Sequence, residues 1–274
     1  MLRIASNLAS ISAQRALALT QRDVERSMRA LASGTRFSDP GVDASGYAIA
    51  EQVRGQVKGY EAARYNADNA VSFVQLAEGG LNEQGNILIR LRELAVQAAS
   101  DTIGDKEREY LNYEATALKD EFDRIAKSTN FGSKHLLNGE SNEYEFQVGV
   151  QKGSDQIITY KHDTDSTASN LDVDSIDVSD KDDARDSLDT IDQALVSINE
   201  GRAKLGAVQS RFETAVNHID SQIEALSDAH GRLADADIAS EVAKVKRGQI
   251  LQQYQASVLA SANDSKSFML RLIA

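Results

Sequence analysis

The two ends of this chain carry matching apolar repeats, and that repetition limits what they can fold into. Near the start, Ile4, Leu8 and Ile11 fall at steps of four and three, and Leu17, Val24, Met28 and Leu31 resume the pattern. Near the finish, Leu251, Val258, Ser265 and Leu272 recur every seven residues, and Tyr254, Ser261 and Phe268 follow the first three of them by three. Such spacing draws a narrow apolar stripe along a helix, the geometry of a coiled-coil partner. An ordinary domain hides its core in the middle of its sequence. Here the sticky seams sit at the ends, so the ends are expected to pair with each other and with other molecules. In an isolated subunit they are expected to be weakly helical and to order on assembly.

The composition agrees with long helices meeting along thin seams. Aromatic residues make up 5% of the 274, tryptophan is absent and there is one proline, which argues against one thick core. Cysteine is absent, so a disulfide framework, a thiolate metal site and a cysteine nucleophile are all excluded. Arg3 and Arg15 interrupt the first apolar stretch, which therefore does not read as a secretory signal. No run approaches the roughly 18 apolar residues of a membrane span. Residues 1–36 and residues 244–274 each carry +4 against a total of −12, which leaves −20 for the rest. The basic charges are spaced between apolar residues rather than clustered, and the acidic middle would repel a polyanion, so nucleic acid is not an expected partner.

Between the ends the period stays helical for most of the length. A first helix is expected from Ala5 to Ser33, stopped by Gly34, followed by a turn at Ser38-Asp39-Pro40-Gly41. A helix of more than fifty residues then runs from Asp43 or Ala44 to Ala98, with Tyr47, Ile49, Val53, Val57, Tyr60, Ala63, Ala67, Ala70, Val74, Ala77 and Leu81 on its apolar face. Ile87, Leu91, Leu94, Val96 and Ala98 continue it. A third helix buries Tyr110, Leu111, Ala117, Leu118, Phe122 and Ile125. Then the period changes to two: Tyr144, Phe146, Val148 and Val150, answered by Ile157, Ile158 and Tyr160, predict a hairpin. Residues 162–183 are rich in Asp, Ser and Thr and read as a solvated acidic loop, poorly ordered and outward-facing, from which Thr164 to Asn170 could be deleted without loss of assembly. Helix returns from about Asp182, and a last helix opens near Asp235 or Asp237. The fold class is mainly α, a long antiparallel helical bundle or coiled coil with a small β-hairpin. Three segments follow: 1–43, a helix and connecting turn; 44–234, a bundle with the hairpin at about 143–161 and the acidic loop; and 235–274, a helix.

No constellation supports catalysis. His135, His162, His218 and His230 stand apart, without H-E-x-x-H spacing. Asp163, Asp165 and Asp174 have the outline of a calcium loop, but Ala168 occupies the position that needs glycine and the twelfth position is not glutamate. Glycine-rich phosphate loops are missing. No metal, no cofactor and no enzymatic activity are expected.

Several segments, in order, resemble the bacterial flagellins. Ser33-Gly34-Thr35-Arg36-Phe37 and Asp43-Ala44-Ser45-Gly46-Tyr47-Ala48-Ile49-Ala50 are similar to that family's S-G-x-R-I and D-D-A-A-G-x-A-I-A motifs. Leu91-Arg92-Glu93-Leu94-Ala95-Val96-Gln97-Ala98, Phe146-Gln147-Val148-Gly149, Asp235-Ala236-Asp237, Gln249-Ile250-Leu251-Gln252-Gln253 and Ser257-Val258-Leu259-Ala260-Ser261-Ala262-Asn263 complete the series. Val42 and Pro40 depart from the pattern, so a cap that the family's paired aspartates could share must rest on Asp43. The resemblance implies a short flagellin without the outer variable domains: a structural subunit that polymerises into the flagellar filament for motility and is exported to the cell exterior by the flagellar type III apparatus. It casts the two end helices as the inner, D0-like layer and the bundle as a D1-like layer. The polymerisation seams would be Ile4, Leu8, Ile11, Leu17, Val24, Leu251, Tyr254, Val258, Phe268 and Leu272. It also implies partners: further copies or sibling flagellins, hook-junction and cap proteins, an export chaperone on the C-terminal helix, and a Toll-like receptor contacting Arg90, Leu94 and Glu114, beside which Ile89 departs from the usual polar residue. The rival readings are a hook–filament junction protein of the same superfamily and, in a different class, a coiled-coil scaffold.

Overall fold

A computed structural model describes residues 7–38, 41, 43–140, 142–162 and 164–273. Among the described residues five α-helices dominate: α1 (Leu8–Ser33), α2 (Ala44–Ala98), α3 (Asp105–Ser128), α4 (Lys181–Ala234) and α5 (Ile238–Ile273). Four short strands lie between α3 and α4: β1 (Asn130–Phe131), β2 (Lys134–His135), β3 (Asn142–Gln147) and β4 (Ile157–His162). The chain forms two compact units, one of residues 1–57 and 224–274 and the other of residues 58–223.

The helix ends are set by local chemistry. Asn7 accepts the Ser10 N–H at 3.1 Å and starts α1; Gly34 ends it at φ +72°, its N–H bonded to the Ala30 carbonyl. That left-handed backbone suits a residue without Cβ. Asp43 Oδ1 accepts the Gly46 N–H at 2.9 Å, so the single aspartate left by Val42 does cap α2. Asp237 Oδ1 takes the Ala239 and Ser240 N–H groups at the head of α5. Each such cap satisfies an N–H that the helix itself cannot pair, which is worth about 1 kcal/mol.

In the unit of residues 58–223, α2 buries Ala63, Ala67, Ala70, Val74, Ala77, Leu81, Gln84, Leu88, Leu91, Ala95 and Ala98. These positions alternate steps of four and three without interruption, a sustained heptad seam. Ile87 and Val96, expected on it, are half-buried and exposed respectively, while Leu88 holds the seam. Six alanines on the seam let neighbouring helices approach closely, and α4 answers with Ala184, Ile191, Ala194, Ile198, Leu205 and Phe212. On α3 the buried line is Arg108, Ala115, Phe122 and Ala126. Tyr110, expected inside, is exposed, because it lies two positions from Arg108 on the far side of that line.

The hairpin β3–β4 pairs Tyr144 with Tyr160 and Phe146 with Ile158. It sets its aromatic face on the helices. Phe73 meets Tyr144 at 4.9 Å and Phe146 at 5.8 Å, and Phe146 meets Phe212 at 5.2 Å, all edge-on. Edge-on packing puts the positive ring edge against the negative face. Phe73, Tyr144, Phe146 and Phe212 thus fasten the sheet to the bundle. Val148 and Val150 fall beyond the strand, and a two-residue ladder, β1–β2, turns on Gly132 at φ +64° where the sequence suggested only a helix end. In α2, a Cβ on Gly80 would stand 2.6 Å from Leu137 Cδ1; the glycine admits a close neighbour and the helix continues through it.

The acidic loop differs most from its expectation. It is not solvated throughout. Ser166, Ala168, Val173, Ile176 and Val178 are buried in the core of this unit. Gln84, the polar residue on the α2 seam, donates to the carbonyls of Phe122 and Ser166 at 3.1 and 2.9 Å. Lys119 donates to the carbonyls of Asp174 and Ile176. Asp172, Asp174 and Asp180 are exposed while apolar residues between them close the core, so the composition misled: charge count hid the positions that pack.

Candidate functional site

The terminal pair, α1 with α5, lies within the other unit. The helices run antiparallel: Asn7 Nδ2 donates to the Ala262 carbonyl at 3.1 Å, and Gln255 Nε2 donates to Thr20 Oγ1 at 3.0 Å. On α1 the side turned to α5 carries Ser10, Ala13, Leu17, Thr20, Val24, Ser27 and Ala30. On α5 it carries Val245, Gly248, Gln252, Gln255, Leu259 and Ala262, again at steps of three and four. A Cβ on Gly248 would fall 2.2 Å from Val24 Cγ2. The two helices therefore touch through small and polar residues, with Leu17, Val24, Val245 and Leu259 between them.

This seam is not the one the large apolar residues suggest. Of the expected set, Leu17 and Val24 belong to it. Leu8, Ile11, Leu251, Tyr254 and Val258 do not; Leu8 is 65% and Tyr254 68% exposed. On α5 the observed stripe lies one residue along from the predicted one, a rotation of about 100° on a helix of 3.6 residues per turn. Leu19, Met28, Val242 and Ile250 share the outer exposure. Ile4 and the side chains of Phe268 and Leu272 lie outside the described residues. Size explains the difference. Where the two backbones come close the seam takes Ser, Ala and Gly, with Leu17, Val24, Val245 and Leu259 between them, and the other large apolar side chains lie on the outer faces.

Beside this pair, several motif residues meet in space. The Arg36 N–H donates to the Ala234 carbonyl at 2.8 Å, and the Ala236 N–H donates to the Gly34 carbonyl at 2.9 Å. Thr35 and Asp235 form an antiparallel bridge. Phe37, Ala50 and Ala234 bury one another, and Phe37 lies edge-on to Tyr47 at 6.0 Å. Arg36 reaches Asp43 at 2.8 Å. The Gly46 N–H, then Ser45 and Arg36, hold the Asp43 carboxyl below its usual range. The S-G-T-R-F, D-A-S-G and D-A-D segments are thus one clasp that joins the strands entering and leaving the terminal helices.

The receptor residues are only partly together. Arg90 pairs with Glu114 at 2.6 Å and with Glu93 at 2.8 Å on the surface. Leu94 is 0% exposed, inside the core. A contact face that uses Leu94 is corrected by this burial: no partner can reach it on the folded unit. Among the described residues no group of three or more metal-ligating side chains gathers, and no helix is long and apolar enough to cross a membrane.

Comparison with known proteins fits this architecture. Residues 4–142 match the bacterial flagellin N-terminal helical region, and residues 188–273 match the bacterial flagellin C-terminal helical region. A flagellin of Halalkalibacterium halodurans is 34% identical over 97% of this chain and 98% of its own. The crystal structure of Bacillus cereus flagellin, 28% identical, superposes with a TM-score of 0.51 over 57% of this chain and 88% of that one. A flagellar hook-associated protein of Vibrio parahaemolyticus covers 71% of this chain and 100% of its own at a TM-score of 0.61, but at 12% identity that likeness shows the fold alone. Identity along nearly the whole length favours the filament over the hook junction: the chain belongs to the bacterial flagellin family, a structural filament subunit of the flagellum.

Proposed function

We propose that the outward faces of α1 and α5 are the polymerisation surfaces of this subunit, joining it to further copies or to sibling flagellins in the filament. One observation carries the reading: large apolar side chains on both helices face away from each other, with Ile250, Tyr254 and Val258 exposed on α5 and Leu8, Ile11 and Leu19 on α1. A contiguous exposed apolar face on a soluble chain marks a contact site. Covering each large side chain is worth roughly 1.5–3 kcal/mol, whereas the small seam contributes little by itself. The pair is then stable chiefly when neighbours cover it. Segments 1–43 and 235–274 form the assembling ends in this reading, and 44–234 the supporting bundle. The same exposed α5 face calls for protection before assembly, and an export chaperone that takes an amphipathic helix in a groove supplies it. Type III export to the cell exterior and contacts with hook-junction and cap proteins complete the reading. For a Toll-like receptor, Arg90 and Glu114 stay in it and Leu94 leaves it.

Val258→Asp tests the surface. The variant should keep the helix content and thermal unfolding of the central bundle yet form no filaments by electron microscopy. Filaments of normal length from that variant would refute the assignment and move the polymerisation surface off this face of α5.

A further inference from the structure

Of the chain's asparagines, Asn138 alone is followed by glycine. We propose that Asn138-Gly139 is a self-modifying site, where the chain deamidates without an enzyme and gains a negative charge. The Gly139 nitrogen attacks Cγ of Asn138 to form a five-membered succinimide. The C–N bond of the side-chain amide breaks, and ammonia leaves with the proton from the Gly139 nitrogen. Water then opens the ring to aspartate or to isoaspartate, so one water is consumed and one ammonia released. No oxidant, metal or cofactor enters.

Three features at the site favour ring closure. Gly139 has no side chain to shield its nitrogen, and its φ of +79° is one that other residues rarely adopt. Asn138 Oδ1 accepts the Glu140 N–H at 3.3 Å, which draws electrons from the side-chain carbonyl and makes Cγ more open to attack. Asp165 is bridged to Asn138 across an antiparallel contact. Its Oδ1 is held by the Thr167 N–H and Oγ1 at 3.0 and 2.7 Å. Its other oxygen lies against Gly139, 2.5 Å from where a Cβ would sit. The register of the bridge, set by the Ser166 N–H to Leu137 carbonyl bond, turns the Gly139 N–H toward the Thr164 carbonyl, so ring closure requires that contact to open, and the Asp165 carboxylate beside Gly139 is assigned the role of general base for the proton then freed. Most other asparagines lie inside helices, where the following N–H is committed to an i−4 carbonyl; Asn130, Asn142 and Asn170 precede Phe, Glu and Leu.

The product would strain the same contact. A carboxylate at 138 would face Asp165 and Glu140, and isoaspartate would add a methylene to the main chain at the bridge. That bridge adjoins the Ser166 N–H to Leu137 carbonyl bond of 3.0 Å, which ties the buried Leu136-Leu137 pair to the buried loop. A slow one-way change would therefore loosen the loop on old subunits first.

The test is to hold the purified full-length chain at mildly alkaline pH and follow each asparagine by peptide mass spectrometry with isoaspartyl-specific methylation. Asn138 should convert several-fold faster than any other asparagine, Asn138→Gln should lose the signal, and Asp165→Asn, checked for native helix content, should slow conversion several-fold. Should Asp165→Asn unfold, Glu140→Pro, which removes the N–H that polarises the amide, serves as the second variant and should also slow it. An intact Asn138 in the folded chain, while the urea-unfolded chain converts, would overturn the proposal. An unchanged rate in folded Asp165→Asn would overturn the base assignment.

Discussion

The central bundle and the terminal pair are built from the same heptad spacing and put it to opposite uses. Along α2 the seam from Ala63 to Ala98 mixes alanines with Leu81, Leu88 and Leu91, and every position is buried within one chain. Along α5 the seam of Val245, Gly248, Gln252, Gln255, Leu259 and Ala262 mixes small and polar residues with only two larger apolar ones, and the leucine, tyrosine and valine of the predicted stripe are exposed. The bundle thus contains its own driving force. The terminal pair directs most of its apolar surface outward. Identical periodicity specifies a helix partner in both places, but side-chain size decides whether the partner's backbone or another subunit receives the large groups.

The sharpest way to break this contrast is to remove part of the bundle that the sequence presents as dispensable. Deleting Thr164 to Asn170 takes out Ser166 and Ala168, both buried, and the carbonyl that receives Gln84. The buried Gln84 amide nitrogen would lose one of its two acceptors, a cost of about 1–3 kcal/mol in itself, and the cavity left behind would add to it. The deletion should abolish cooperative unfolding of the bundle and with it the filament. Retained two-state unfolding would mean that the loop only decorates the core.

A milder break lies in the terminal pair. Gly248→Val places its Cβ within the space of Val24 Cγ2, and overpacking of this kind typically costs about 1–3 kcal/mol. The bundle should unfold at its usual temperature while α1 and α5 separate. Because the chain has no cysteine, a Thr20→Cys, Gln255→Cys pair reports the separation cleanly: a disulfide should form in the otherwise native chain and fail to form with Gly248→Val. Equal crosslinking in both would show that the helices can rotate past the contact.

What the sequence made legible follows from the same contrast. Gly34, Asp43 and Asp237 were readable as helix ends because capping depends on a single residue's chemistry. The alternation of Tyr144 and Phe146 was readable because a strand's period is short. The face of α5 that meets α1 was not legible from hydrophobicity, because the partner helix selects Gly248 and Gln255 over Leu251 and Tyr254. Leu94 was readable as part of a motif, yet a motif does not say which of its residues face solvent; Arg90 does and Leu94 does not. The loop after β4 was misread because every apolar residue in it stands among aspartates, and the contacts that bury Val173, Ile176 and Val178 come from elements distant in sequence.

The smallest effect separates the two regions by pH. Asp177 lies in the buried loop. Its Oδ1 accepts the Ser179 N–H at 2.8 Å, and the Ser179 backbone and side chain hold its carboxyl below the usual aspartate range, with Lys119 adding to the effect. A carboxyl depressed in the folded state binds fewer protons there than in the unfolded chain. Its contribution is therefore complete above the ordinary aspartate range and is lost as the pH falls through that range to the folded value. Asp177→Asn removes this dependence and also weakens the turn acceptor. The variant should be slightly less stable than the native bundle near neutral pH, and the gap should close as the solution is acidified. Thermal unfolding of the bundle across that window checks it. A gap that stays constant on acidification would mean that Asp177 acts through its shape and hydrogen bonding alone and that other carboxylates carry the bundle's acid sensitivity.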